Sequence, residues 1–321
     1  MEKVSIILLT KNRIDLLRKC LISLSKQTYK NYEIIVLDDF SHDGTEKMIL
    51  EMSKNQSNIR FYQRGSSGLG YGRKMGVNAA KGEIIAFIDD DEEAHSDWLK
   101  KGLEELERQQ ADIVRGAVYY PDGKLFRHLR IDKMEYPTAN IFYKKEVLES
   151  IDNFDERFEY GGEDIDVGLR ALKKGYKLVL CKEAVTIHCF PPKSTVSRLG
   201  QMWNIGRFRT TNSVLLFKKH PEYRCKLVYH YFYNKRHITI IVIFISFIVS
   251  FLNLFTLNHP AIYSIALLAS IVSYMKFQVA VDKNISKYPK RVILFPYFMF
   301  LDLIDTLAIV KGAIKYRFFM L

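Results

Sequence analysis

A strand that runs directly into a row of acids is the feature that most constrains this chain. Residues 84–88 form an Ile-rich apolar run typical of a buried strand, and five consecutive acids, residues 89–93, follow it. In an open α/β sheet, ligands bind at the carboxyl ends of such strands. Adjacent carboxylates repel one another, so either they extend into water as a solvated loop or a cation neutralises some of them. Asp89 and Asp91 could share one hard divalent ion such as Mg²⁺ or Mn²⁺.

Strands and helices alternate through the first part of the chain. Apolar runs at residues 4–10, 33–39 and 59–63 are typical of buried strands, and each precedes a segment with a helical pattern. The glycine-rich passage 65–72 lacks the ending of a Walker A loop, but Arg73 and Lys74 stand in the first turns of the helix that it opens, where phosphate is attracted. We expect an α/β domain with a Rossmann-like, mostly parallel sheet and helices on both faces.

A second acidic motif, Gly161-Gly162-Glu163-Asp164, begins a segment with helical spacing. Two glycines let the backbone turn tightly before the helix, and an acid at that point can cap it. Capping explains one acid, whereas three acids within residues 163–166 also indicate a functional role. Two short strands, predicted at residues 177–181 and 184–188, then close the domain and leave His188 at a strand end.

The remainder of the chain is basic and apolar. The formal net charge is +12, and only four acids follow residue 190, namely Glu222, Asp282, Asp302 and Asp305. Residues 238–257 carry no charge and residues 261–281 carry one lysine, so each segment is long enough and apolar enough to span a bilayer. Together they predict a helical membrane hairpin. Residues 292–310 have two acids in the middle, which favours an interfacial or re-entrant helix.

These patterns predict two domains, an α/β domain at residues 1–220 and a membrane-associated region at residues 221–321. The basic residues before the first span and in the loop 282–291 should lie in the cytosol by the positive-inside rule. We therefore expect a multi-pass protein of the cell membrane whose N-terminal domain lies in the cytoplasm. Basic residues beside apolar spans face anionic lipid rather than nucleic acid. The four cysteines form no CxxC pair, which is typical of reduced thiols.

Residues 1 to about 220 resemble an inverting glycosyltransferase of family 2, which has the GT-A fold. The matching segments, in chain order, are Thr10-Lys11-Asn12-Arg13 after the first strand, residues 36–45, residues 70–83, the Asp89-Asp90-Asp91 triplet, residues 153–156, Gly162-Glu163-Asp164 and Arg170. Each segment alone is a weak signal. Their order and their spread over two thirds of the chain carry the resemblance.

The resemblance implies that Asp89 and Asp91 are the D-x-D motif, whose carboxylates bind the divalent cation, Mg²⁺ or Mn²⁺, and the ribose of a nucleotide-sugar donor. His188 matches a position that often completes the protein ligands of the metal. A histidine that makes only a local hydrogen bond is the alternative for His188.

The resemblance also implies a set of residues around the donor nucleotide. Asp39 matches the residue that hydrogen-bonds the base, Thr10 lines the same pocket, and Arg73 corresponds to the contact with the base and the diphosphate. Asp90 belongs with this donor-binding set. Ordinary loop ends of an α/β sheet are the alternative for all of them.

Asp164 is the predicted catalytic base, with Glu163 as the neighbour that could take the same role. A carboxylate within hydrogen-bond reach can take the proton of an acceptor hydroxyl in the transition state, and a helix N-terminus keeps it ionised at neutral pH. Trp98 is a candidate for stacking on the acceptor sugar, and a core tryptophan is the alternative.

The predicted function is sugar transfer from a nucleotide-sugar donor to a hydroxyl of a lipid-linked glycan, in cell-surface polysaccharide or glycolipid synthesis. A phosphate oxygen is already anionic at neutral pH and needs no base, so the Gly-Glu-Asp motif favours a hydroxyl acceptor over polyprenyl phosphate. Transfer to polyprenyl phosphate remains the enzymatic alternative. A membrane-tethered module that binds nucleotides or nucleic acid without catalysis is the alternative from another class.

Overall fold

The computed structural model describes residues 2–64, 68–125, 136–189, 210–226 and 295–318, with the single positions 241, 243, 245, 265, 268, 269 and 272. The chain divides into two compact units, Met1–Lys193 and Ser194–Leu321. This boundary lies before the predicted one at residue 220, because the last strand of the sheet already ends at His188.

The first unit alternates strands and helices along the chain. Its elements are β1 (Val4–Thr10), α1 (Ile14–Ser25), β2 (Tyr32–Asp38), α2 (Thr45–Asn55), β3 (Ile59–Gln63), α3 (Gly68–Ala79), β4 (Ile84–Ile88), β5 (Glu92–Ala94), α4 (Trp98–Arg108), β6 (Ile113–Tyr119), β7 (Asn140–Lys144), α5 (Lys145–Ser150), α6 (Glu163–Lys173) and β8 (Leu178–His188). The two short strands predicted around residues 177–188 are one strand, β8, with an irregularity in its middle.

The strands form one mixed sheet in the order β3-β2-β1-β4-β7-β6-β8-β5. β1 pairs in parallel with β2 and β4, and β2 pairs in parallel with β3. β7 is antiparallel to β4 and β6, β6 and β8 are parallel, and β5 is antiparallel to β8. The predicted parallel arrangement therefore holds for the first half of the sheet. Since β1, β2 and β4 run in one direction, the residues that follow them meet at one edge.

The apolar runs are buried because both faces of the sheet are covered. Val4, Ile6 and Leu8 of β1 belong to one core cluster with the buried faces of α1, α2 and α4. Ile7, which points the other way, lies against Gly76 of α3. Period-two alternation thus places successive side chains of one strand in two different helical layers.

Helix α3 packs unusually close to the segment 155–159. A Cβ added to Gly70 would fall on the carbonyl oxygen of Asp155, so only glycine fits there. The N–H groups of Leu69 and Gly70 donate to the carbonyls of Glu159 and Phe158 at 2.9 and 3.1 Å. These helix N-terminal donors are therefore occupied by the protein, which corrects the expectation that they attract phosphate; the side chains of α3 remain for that purpose.

Two packed helices make up most of the described part of the second unit. They are α7 (Thr210–Lys219) and α8 (Phe295–Tyr316), with a 3-10 helix at Pro221–Lys226. The Thr211 hydroxyl donates to the Ala308 carbonyl at 3.1 Å, and the Lys218 ammonium donates to the Tyr316 carbonyl at 2.6 Å. The helix predicted at residues 292–310 is thus present and extends to Tyr316.

The face of α8 that does not pack on α7 is apolar and exposed. Leu303, Leu307 and Ile314, which share one side of the helix, have exposed fractions of 39%, 59% and 74%. Lys311 and Lys315 are exposed beside them. The exposed side of α8 therefore carries both apolar and basic side chains.

The predicted membrane hairpin at residues 238–257 and 261–281 lies almost entirely outside the described residues. Within the parts of the chain that the structure does describe, no helix is both long enough and apolar enough to cross a bilayer.

Candidate active site

The candidate site lies where the parallel strands β1, β2 and β4 end. Thr10 at the end of β1 is paired with Asp38, and the N–H of Asp39 donates to the Thr10 carbonyl at 3.0 Å. The Thr10 hydroxyl donates to Asp90 Oδ2 at 2.8 Å. Residues 80 positions apart in sequence are therefore in direct contact at one edge of the sheet.

A buried anchor holds the acidic turn after β4 in place. The Arg13 guanidinium donates to Asp90 at 2.8 Å and to Asp91 at 3.0 Å. Asp90 itself is 4% exposed, and burial raises its pKa to about 6 although the charge of Arg13 opposes the shift. Since Thr10 and Arg13 occupy its oxygens, Asp90 supports the turn rather than facing a ligand. The cation Arg13 was not predicted from the sequence as a partner of the acids.

Asp91 lies beside His188 because β5 pairs with β8. Glu92 of β5 is opposite His188, and His188 Nδ1 lies 3.3 Å from Asp91 Oδ1. Burial disfavours the ionised form of Asp91, but the hydrogen bond and charge of His188, with Arg13, outweigh it and lower the pKa of Asp91. Two of the three predicted metal ligands, Asp91 and His188, are therefore adjacent, and Asp91 is held as a carboxylate.

These residues fit a divalent cation that is shared with a substrate. Among the described residues, no group of three or more His, Cys, Asp or Glu could hold a metal ion by itself. Mg²⁺ in phosphate-transferring sites commonly takes only one or two carboxylates from the protein and its other ligands from phosphate oxygens and water. Asp91 with His188, next to Asp89 with its 42% exposed side chain, has the donor chemistry for such an ion.

Arg73 connects the acidic turn to the Gly-Glu-Asp motif. Arg73 belongs to α3 and is 7% exposed. Its guanidinium donates a hydrogen bond to Glu163 Oε1, and its Nη2 lies 3.9 Å from Asp89 Oδ1. Arg73, Asp89 and Glu163 were all predicted site residues, and these contacts bring them together.

The two acids that begin α6 have different surroundings. Gly161 and Gly162 before them have φ angles of +79° and +97°, in the left-handed region where glycine is favoured. Glu163 is 3% exposed, and its burial raises its pKa to about 7 although Arg73 opposes the shift. Asp164 is half-buried, and its Oδ1 accepts the backbone N–H of Ile165 at 2.8 Å. Neither acid caps the helix by a side-chain hydrogen bond at the N-cap position, which is Gly162.

The other end of the site is built from two loops that hold each other. The N–H of Asn12 donates to the Ser41 hydroxyl, the N–H of His42 donates to the Asn12 side chain, both at 2.7 Å, and the N–H of Ile14 donates to Asp43 at 2.9 Å. This clamp joins the loop after β1 to the loop after β2. It fixes the backbone on both sides of Asp39.

Asp39 has one occupied and one unoccupied oxygen. Its Oδ2 lies 2.9 Å from Lys11 Nζ and 3.7 Å from Arg64 Nη2. Its Oδ1 is buried and makes no hydrogen bond to any of the described residues. Neither Lys11 nor Arg64 was assigned a role from the sequence. A buried acceptor without a partner is costly, so this atom is a point at which a bound N–H would be stabilised.

Trp98 lies in the core rather than in the site. It is fully buried, its indole N–H donates to Asn140 Oδ1 at 2.9 Å, and its ring centroid lies 5.0 Å from that of Phe142. A ring enclosed in this way has no face open to an acceptor sugar. Of the two sequence-based interpretations, the placement favours the core tryptophan.

Sequence comparisons show which family this architecture belongs to. The family description "Glycosyl transferase family 2" matches residues 5–162, and "Glycosyl transferase family group 2" matches residues 84–303, more than half of the chain. Glycosyltransferase AglE of Haloferax volcanii is 29% identical over 64% of this chain and 72% of its own length.

Other relatives are matched over a smaller part of their length. The GalNAc(5)-diNAcBac-PP-undecaprenol beta-1,3-glucosyltransferase of Campylobacter jejuni is 30% identical over 51% of this chain and 58% of its own length. The poly(ribitol-phosphate) beta-glucosyltransferase of Bacillus spizizenii is 33% identical over 38% and 20%. This chain thus spans less than two thirds of either protein.

Solved structures share the fold at low identity. Mannosyltransferase PcManGT of Pyrobaculum calidifontis, in complex with GDP-Man and Mn²⁺, has a TM-score of 0.57 and 15% identity over 97% of this chain and 87% of its own. GalNAc-T7, with UDP, GalNAc and Mn²⁺, has a TM-score of 0.52 and 15% identity over 69% and 51%. The chain therefore belongs to the family 2 glycosyltransferases and is an enzyme of that class with the GT-A fold.

Proposed function

We propose that this enzyme inverts the anomeric centre of a sugar as it moves it from a uridine diphosphate donor to a hydroxyl of a lipid-linked glycan at the cell membrane. One observation carries the proposal. Arg73 donates a hydrogen bond to Glu163 of the Gly-Glu-Asp motif and also lies 3.9 Å from Asp89. These contacts support a single site in which Arg73 joins the donor side to the base side.

Asp164 is the proposed base. As the acceptor oxygen forms its bond to the anomeric carbon, its proton passes to the Asp164 carboxylate, while the bond from that carbon to the diphosphate oxygen breaks and its electron pair leaves with the diphosphate. Attack opposite the leaving group inverts the centre. Asp164 lies in the first turn of α6, next to Glu163.

Arg73 is the proposed protein cation for the departing diphosphate. Negative charge that develops on a leaving group is stabilised by preorganised positive charge in a site with little water. Glu163 accepts a hydrogen bond from the Arg73 guanidinium. Both side chains are buried, which fixes the pair in this geometry. A divalent cation on Asp91 and His188, with Asp89 beside it, would add Lewis-acid stabilisation of the same phosphate oxygens.

The Asp39 pocket is complementary to uracil. The Watson–Crick edge of uracil presents an acceptor, a donor and an acceptor, whereas guanine presents one acceptor and two donors. Asp39 offers one unoccupied oxygen for one N–H, and the cations Lys11 and Arg64 beside it can serve carbonyl oxygens. The second donor of guanine would need Asp39 Oδ2, which Lys11 already engages. A uridine nucleotide is therefore the proposed donor.

The acceptor assignment rests on the base and on the relatives. A hydroxyl requires a base and a lipid phosphate does not. Two relatives are named for glucosyl transfer, one onto an undecaprenol-linked glycan and the other onto poly(ribitol-phosphate). We extend the lipid-linked glycan to this chain as the proposed acceptor.

The exposed face of α8 supports membrane association. Its three exposed apolar side chains lie beside Lys311 and Lys315, the combination that places a helix in the interface of an anionic membrane. The uncharged sequence at residues 238–257 agrees with this proposal. The basic residues that flank the apolar segments support a cytoplasmic location for the catalytic unit.

The function is tested by transfer from a UDP-sugar. We expect release of UDP that depends on an acceptor hydroxyl, stops in EDTA and returns with Mn²⁺ or Mg²⁺. Asp164→Asn should bind UDP within about twofold of the parent but lose transfer by roughly 10²–10⁴-fold, as for loss of a general base. Glu156→Gln, a change of an exposed carboxylate in the nearby loop, is the control. Full transfer by Asp164→Asn, or transfer to polyprenyl phosphate that survives the substitution, would contradict the hydroxyl mechanism.

The nucleotide preference is tested by equilibrium binding of UDP and GDP. We expect UDP to bind at least tenfold more tightly, because a hydrogen bond to a charged group contributes about 1.5–3 kcal/mol. Asp39→Asn should weaken the binding of UDP. Lys11→Ala should reduce the difference in affinity between UDP and GDP, because it frees Asp39 Oδ2. Lys100→Ala, on an exposed lysine of α4, should change neither affinity. Equal binding of UDP and GDP by the parent protein would disprove the uracil assignment.

The buried Glu163 predicts a pH-dependent stability difference. The ordinary pKa of this acid is 4.5 and in the fold it is about 7, so between these values the folded state holds a proton that the unfolded state has lost. The free energy of unfolding of the parent should fall as pH rises through that window, by up to about 1.4 kcal/mol per pH unit. The side chain introduced by Glu163→Gln cannot ionise. In urea unfolding, the free energy of unfolding of this variant relative to that of the parent should therefore be higher at pH 7.5 than at pH 5. A difference that is the same at both pH values would contradict the burial of an ionisable Glu163.

Membrane association is tested by sedimentation with vesicles containing phosphatidylglycerol. The full chain should sediment, and Leu307→Glu with Ile314→Glu should weaken vesicle binding at least tenfold, since each buried leucine or isoleucine contributes about 1.5–3 kcal/mol. Leu50→Glu, at an exposed leucine of the catalytic unit, is the matched control. Undiminished binding by the α8 variant would exclude this face as the membrane contact.

A further inference from the structure

The pairing of β6 with β8 contains an insertion that determines which way His188 faces. Gly116 pairs with Cys181, but the next residue, Ala117, pairs with Val185. Residues 182–184 of β8 are thus extra relative to β6. Side chains alternate along a strand with a period of two, so an odd insertion reverses the face taken by every later residue of β8.

The side chain of Asn140 bridges this insertion. Asn140 is fully buried, and its amide nitrogen donates to the Ala117 carbonyl at 3.0 Å and to the Ala184 carbonyl at 2.9 Å. One acceptor belongs to β6 just after the shift and the other to the last inserted residue of β8. A third acceptor, Thr186 Oγ1, lies 3.3 Å from the same nitrogen.

Two other residues keep the Asn140 amide in this orientation. The indole N–H of Trp98 donates to Asn140 Oδ1 at 2.9 Å, which leaves the amide nitrogen to face the two carbonyls. A Cβ on Gly116 would fall on the Asn140 amide, so the absence of a side chain there makes room for it. Every polar atom of the Asn140 side chain therefore has a partner, as a buried amide requires.

The part of β8 after the insertion builds the metal side of the site. The N–H of His95 donates to the Val185 carbonyl at 3.0 Å, and the N–H of Cys189 donates to the Asp91 carbonyl at 2.7 Å. His188 lies between these two tie points, with Nδ1 3.3 Å from Asp91 Oδ1. The alternation of side chains in β8 after the insertion thus determines whether His188 faces Asp91 or the opposite side of the sheet.

We infer that Asn140 is a positioning residue for the donor site: by holding the β8 insertion it places His188 against Asp91, the pair proposed to bind the divalent cation. The inference rests on the proposed function for the identity of that ion. Asn140 acts through His188 and touches neither donor nor acceptor. Groups that orient metal ligands commonly affect metal affinity 10–100-fold.

The test is the affinity for Mn²⁺, measured by the electron paramagnetic resonance of free Mn²⁺ with the full chain saturated by UDP or GDP, whichever binds more tightly. Asn140→Ser should weaken Mn²⁺ binding about 10–100-fold. Nucleotide affinity without metal should stay within about twofold, because Asp39 follows β2, a strand that does not pair with β7 or β8. In a His188→Ala background, Asn140→Ser should have no further effect on Mn²⁺, since the ligand that it positions is gone.

Two further variants separate positioning from stability. Trp98→Phe removes the indole N–H and should weaken Mn²⁺ binding in the same direction with a smaller loss of folding, which keeps the inference testable if Asn140→Ser does not fold. Ser5→Ala breaks a buried hydrogen bond to Glu33 at the amino end of β1 and should lower the melting temperature while leaving Mn²⁺ affinity unchanged.

Two results would overturn the inference, and they can be told apart. If His188→Ala weakens Mn²⁺ but Asn140→Ser and Trp98→Phe do not, Asn140 is only a core residue and the proposed metal site stands. If His188→Ala leaves Mn²⁺ affinity unchanged, His188 is not a ligand, and the metal assignment in the proposed function fails together with the inference.

Discussion

The site depends on compensation of the acids that follow β4. Three carboxylates in consecutive positions would repel one another strongly at the edge of a low-dielectric sheet. The structure compensates each in a different way: Asp90 is buried against Thr10 and Arg13, Asp91 lies between Arg13 and His188, and Asp89 stays partly exposed near Arg73. Asp90 therefore anchors the turn, whereas Asp89 and Asp91 can face a ligand.

The groups that surround these acids come from four separate parts of the chain. Arg13 follows β1, Arg73 belongs to α3, His188 ends β8, and Glu163, which holds Arg73, begins α6. The parallel half of the sheet brings the first two near the acids, and the antiparallel pairing of β5 with β8 brings the third. Fold and site are therefore linked, since none of these groups is adjacent to the acids in sequence.

Sequence patterns predicted the elements well because the strands are buried on both faces and leave continuous apolar runs. The predicted α/β fold and the positions of Asp39, Asp91 and Asp164 at element ends agree with the structure. Roles within the acidic cluster were not predictable, because burial decides them: Asp90 and Asp91 have the same side chain, yet one anchors the turn and the other meets a histidine. Trp98 and Asn140 likewise depend on a contact between distant residues that no local pattern records.

The missing side chain of Gly70 has a mechanical consequence. It lets α3 rest directly on the backbone of residues 155–159, which leads through a few residues into the start of α6. Arg73 sits one turn further along the same helix. Because α3 and this segment are in direct backbone contact, a displacement of α3 when a diphosphate binds would also move the segment that leads to Asp164, the proposed base.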